Sequence, residues 1–156
     1  MEGTWEKLSQ VAVLGAKYDS PECQPHLKCL EGTRVDILKL IQGLLDEQKK
    51  CQIIWLHGMA GIRKSAVAFT VAEMMKGLKM TEEMKIETRL MGMFFFLHKH
   101  MNCSTTGHFF AALAYQLATN FPSIQKDVNR AIHKNPVILN PNNSLRNQMK
   151  MLFHQP

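Results

Sequence analysis

The chain has 156 residues, of which 46% are hydrophobic and 21% charged, with a net charge of +6. These values fit one globular domain able to bury roughly 70% of its unfolded surface and exclude a low-complexity chain. No apolar run approaches the roughly 18 residues that span a bilayer, and "MEGTWEKLSQ" is not a secretory signal, so no membrane role is expected.

The charge is unevenly placed. Residues 1–88 hold twelve acidic and twelve basic side chains, whereas residues 89–156 hold seven basic ones and a single acid, Asp127. The basic residues are dispersed and not interleaved with aromatics, which argues against a nucleic-acid surface and leaves an acidic partner segment as the alternative. Four cysteines, Cys23, Cys29, Cys51 and Cys103, form no CxxC pair, so a reducing, cytoplasmic setting is expected.

Residues 1–32 read as an irregular linker, with "YDSPECQPHLKCLEGT" rich in loop-forming residues. The main domain is expected over 33–156. Thr33 is placed as the N-cap of a helix running from Arg34 to about Gln48. There Val35, Leu38, Ile41 and Leu45 recur at helical spacing, and Ile37 and Leu44 widen the stripe. "CQIIWLHG" is a short β-rich apolar run ending in glycine, the pattern of a buried parallel strand. "KSAVAFTVAEMMKGLK" then reads as a helix facing inward with Val67, Val71, Met74 and Leu78. "LMGMFFFLH", residues 90–98, is a second strand candidate, and "FFAALAYQLATNF" an apolar helix. Pro122 suits the first position of a further helix with Ile124, Val128 and Ile132 on one face. "NPVILNPNN" reads as loop, and Ser144 as the cap of a final helix, "LRNQMKMLF".

The turn between the first strand and its helix carries the chemistry. A phosphate loop is Gly, four residues, Gly, Lys, then Ser or Thr, and its backbone N–H groups cradle phosphates at a helix N-terminus. Gly58, Met59, Ala60, Gly61, Ile62, Arg63, Lys64 and Ser65 fill the eight places, followed by Ala66. In this pattern the lysine reaches the outer phosphates and the Ser65 hydroxyl ligates magnesium. Seven places are compatible; Arg63 stands where a glycine belongs, and a cost of roughly 1–3 kcal/mol in backbone strain is expected there. Its guanidinium could offset part of that by binding the anion.

His98, His100, Cys103 and His108 lie within eleven residues. Their spacing matches no common zinc site, and they read as a polar loop.

Taken together, "YDSPECQPHLKCLEGTRVDILKLI", "IIWLHGMAGIRKSAVAFTVAE", "GMFFFLHK" and "FFAALAYQLATNFPSIQKDVNRAIHKNP" fall in an order that resembles the NACHT-type P-loop NTPase module of fungal STAND proteins. This is the nephrocystin-3-like N-terminal domain of NLR-like sensors, and the resemblance covers roughly residues 14–156. It implies an α/β, ASCE-type parallel sheet flanked by helices, and ATP or GTP with magnesium held as a switch. It also implies that Thr33 and Arg34 belong to a GTR segment passing the base. No strand-like run after Ser65 ends in Asp or Glu, the group that would hold magnesium and water for hydrolysis. The expectation is therefore a partial module lacking its later central strands, binding nucleotide at most and not turning it over. Unpaired sheet edges would favour self-association or pairing with an intact paralogue. The alternative is an interaction fragment that binds no nucleotide.

Overall fold

The computed structural model describes residues 2–12, 28–47, 53–77, 90–96 and 106–154. Six α-helices occur among them: α1 (Glu2–Val11), α2 (Val35–Asp46), α3 (Lys64–Gly77), α4 (Phe109–Asn120), α5 (Pro122–Lys134) and α6 (Leu145–Met149). The described residues divide into two compact units, one holding α1 and α4 to α6, the other α2 and α3.

The expected parallel sheet flanked by helices is not found, because the described residues contain no strand. A strand is completed by partners, and neither β-rich segment has one among the described residues. In 53–57 the side chains of Ile53 and Trp55 are 83% and 81% exposed, so no neighbouring element covers them. In 90–96 a helix takes the place of a partner strand. The Gln116 amide on α4 accepts from Met93 N at 3.0 Å and donates to Met93 O at 2.8 Å. Phe94 packs edge-on against Phe109, with ring centroids 5.3 Å apart.

The unit of α1 and α4 to α6 has a continuous core. Leu8, Ala114, Val128, Ile132, Ile138 and Leu152 are buried at its centre. Helix α4 presents Ala111, Ala112, Ala114 and Ala118 inward, so its backbone lies close to its neighbours. The irregular reading of residues 1–32 is corrected by α1, whose Leu8 is buried and whose Trp5 stacks on Tyr115 at 4.9 Å. Pro122 is at the start of α5, and Val128 and Ile132 are buried as the spacing predicts. The segment expected as loop after Asn135 instead forms a 3-10 turn, Pro136–Leu139, that buries Ile138 and Leu139. Ser144 caps α6 by accepting from Asn147 N at 3.2 Å.

The second unit packs α2 against α3. Helix α2 turns Ile37, Leu38, Ile41, Leu44 and Leu45 inward, as expected, while Val35 stays exposed. Helix α3 is rotated from the predicted face. Ala66, Phe69, Ala72 and Met75 are buried together with Val67, whereas Val71 and Met74 are only half-buried, and Leu78 lies outside the described residues. Apolar residues surround this helix, so periodicity alone did not select its inner face. Two contacts fasten the segment before α2 to α3. The Cys29 N–H donates to Thr70 Oγ1 at 3.1 Å, and Lys28 pairs with Glu73 at 2.7 Å. Among the described residues no helix is long and apolar enough to cross a membrane.

Candidate functional site

The loop of residues 58–63 is exposed and leads directly into α3, whose first residue is Lys64. Two of its glycines are needed for its path. Gly61 has φ +84°, a left-handed conformation that costs glycine little. Gly58 has φ +155°, a backbone conformation that L side chains rarely adopt. Ala66 is buried and seats the start of the helix.

Arg63 has φ +61°, also left-handed. Among the described residues only Arg34, at φ +59°, is another non-glycine with positive φ. The glycine expected at position 63 thus corresponds to a real backbone requirement, met here by a residue for which that conformation is unfavourable.

Lys64 folds back over the loop. Its ammonium donates to Gly58 O at 2.9 Å and Met59 O at 2.8 Å, clamping the loop's first turn. Arg34 reaches the same loop from the other side in sequence, its Nη2 donating to Ile62 O at 3.3 Å. The structure therefore brings together Gly58 to Lys64 and Arg34. Thr33 does not join them. Its hydroxyl donates to Leu30 O at 2.6 Å and its N–H to the same oxygen at 2.9 Å, closing a tight turn. Thr33 is consequently not the N-cap of α2; Arg34 occupies that place without a side-chain cap bond.

Beside this turn is a pocket of about 270 Å³, lined among others by Leu30, Thr33, Val35, Leu38, Thr70 and Met74. Thr70 lies six residues beyond Lys64, about 9 Å along the axis of α3. The pocket was not visible in sequence, because its walls come from two helices and a turn. The long-range bonds of Arg34 and Thr70 left no local signal either.

A magnesium ion takes about six oxygens in octahedral order, usually from one or two carboxylates with waters and phosphates. The loop offers the exposed Ser65 hydroxyl, and residues 57–66 contain no carboxylate. The described residues hold no group of three His, Cys, Asp or Glu that could bind a metal. Among the described residues, one hydroxyl and no carboxylate at the loop do not fit a resident magnesium ion. Of the histidine and cysteine cluster, only His108 falls within the described residues.

A search of curated proteins and a search of solved structures each found no match. The family model described as nephrocystin 3, N-terminal, matches residues 32–156, which take in the loop and the pocket apart from its Cys29–Glu31 edge, and the chain belongs to that family.

Proposed function

We propose that the chain is a nucleotide-binding module in which the loop of residues 58–65 holds the phosphates and the pocket beside Thr33 takes the base. The observation that carries this reading is the convergence of Lys64 and Arg34 on the carbonyls of one glycine-shaped loop at the start of a 14-residue helix. Exposed N–H groups and two cations at such a turn favour a bound anion. Lys64 exchanges the carbonyls of Gly58 and Met59 for phosphate oxygens when nucleotide enters. The resemblance to NACHT-type modules supports a role as the switch element of an NLR-like signalling protein. No strand-like run after Ser65 ends in Asp or Glu to hold magnesium and orient water, which supports binding without turnover.

Titration with fluorescent ATP and GTP analogues tests this reading. Saturable binding that Lys64→Ala abolishes is the expected result. Failure of both nucleotides to bind would sink it. The second reading, an interaction fragment that associates with an intact paralogue, would then lead; the exposed Ile53 and Trp55 favour it.

A further inference from the structure

We infer that the loop takes its nucleotide as the metal-free polyanion, with Arg34, Arg63 and Lys64 supplying the positive charge that magnesium would otherwise bring. The inference rests on the phosphate-loop reading and specifies the ionic form of the ligand.

Three cations meet the chain at three consecutive positions. Arg34 is bonded to Ile62 O, Arg63 follows, and Lys64 comes next. Lys64 spends two hydrogen bonds on Gly58 and Met59, and Arg34 one on Ile62. The Arg63 guanidinium makes no hydrogen bond or ion pair among the described residues and is exposed, so its fork of N–H donors can turn to a ligand.

Among the described residues of this unit, no carboxylate pairs with the three cations at the loop. Glu73 is committed to Lys28 at 2.7 Å. Asp46 and Glu47 stand at the far end of α2 from Arg34. Glu31 and Asp36 flank Arg34 in sequence, but neither carboxylate makes an ion pair or hydrogen bond among the described residues.

Charge then decides between the two forms of the ligand. Attraction scales with the product of the charges. Magnesium cancels about two of the negative charges on a nucleoside triphosphate, and so weakens its attraction to all three side chains at once. A loop with glycine at position 63 has one cation fewer and more room at its turn, and gains more from the ion. Arg63 shifts the preference toward the free triphosphate.

The test is a titration of the full chain with a fluorescent ATP analogue at matched ionic strength, once with excess magnesium and once with EDTA. Binding at least about fivefold tighter in EDTA is expected, as a charge-driven preference requires. Arg63→Gly, which suits the left-handed backbone, should bring the ratio close to one, whereas Arg63→Lys should keep most of it. Lys64→Ala should remove binding in both buffers. Binding that requires magnesium would overturn the inference while leaving the phosphate loop in place. So would an equal ratio in the wild type and Arg63→Gly. Absence of binding in both buffers would overturn the phosphate-loop reading itself, and the inference with it.

Discussion

The side-chain amide of Gln116 serves as a one-residue strand partner for Met93, accepting from its N–H at 3.0 Å and donating to its carbonyl at 2.8 Å. Gln116 is buried, so its two bonds form away from water, where an unpaired backbone group is costly. The amide ties the phenylalanine-rich segment to α4 in a unit where no second strand does so among the described residues.

Replacing Gln116 with Met keeps the side chain's length and removes both bonds. Met93 is half-buried, so water can restore part of the loss. A destabilisation of about 1–3 kcal/mol is expected, which lowers Tm by about 2–12 °C. Thermal unfolding followed by circular dichroism checks it. An unchanged Tm would mean that the Met93 pairing adds nothing beyond what solvent offers.

Gly107 gives a sharper steric test. A Cβ there would lie 2.6 Å from Pro141 O and 3.1 Å from Pro141 Cα, both backbone atoms that cannot swing aside. Gln148 holds the same corner by donating to Gly107 O and Asn140 O at 3.2 Å each. Gly107→Ala should therefore destabilise by at least about 1–3 kcal/mol, the range for overpacking. Gly43→Ala, at a helical glycine with nothing within 4 Å, should be neutral or slightly stabilising. Denaturant midpoints for the two variants should move in opposite directions or differ by more than their error.

What could be read from sequence was local. Helices α2 and α5 follow from their apolar spacing, and Ser144 from its place before a periodic run. The glycine pattern of residues 58–65 marked the turn, and the backbone at Arg63 is left-handed as a missing glycine implies. The strands failed for a non-local reason. "CQIIWLHG" and "LMGMFFFLH" state what a segment would do if partners were supplied, and the described residues supply none to 53–57 and a glutamine side chain to 90–96. Helix α1 left a signal that the loop-like composition of residues 13–32 obscured, since Trp5, Leu8 and Ala12 are spaced as one helical face. The resemblance put Arg34 in a segment passing the base; its bond to the loop at Ile62 spans 28 residues of sequence and left no local signal.

The exposed apolar pair Ile53 and Trp55 predicts self-association. Their side chains alternate along one segment whose backbone has no hydrogen-bond partner among the described residues, a template for pairing with another chain. A double substitution, Ile53→Lys with Trp55→Lys, should shift the protein toward monomer in light scattering after size exclusion. Tm should change by no more than about 2 °C, because neither side chain is buried. A large fall in Tm with no change in mass would place these residues in the folded core instead.

The final prediction separates strain from charge at Arg63. A non-glycine residue in the left-handed region costs roughly 1–2 kcal/mol, while glycine adds about 0.5–1 kcal/mol of unfolded-state entropy. Arg63→Gly should therefore stabilise the chain by up to about 1.5 kcal/mol. Arg63→Ala removes the guanidinium but keeps a Cβ at φ +61°, so it should leave stability near that of the wild type. Arg63→Asn, a side chain that tolerates this conformation better, should fall between Ala and Gly. Urea denaturation of the four proteins, with the slope unchanged across the series, gives the ranking Gly, Asn, then Ala and Arg together. If Ala and Gly stabilise equally, the relevant cost at position 63 is crowding of like charge with Arg34 and Lys64 and not the backbone. In that case added salt should close the gap between Arg63 and both variants.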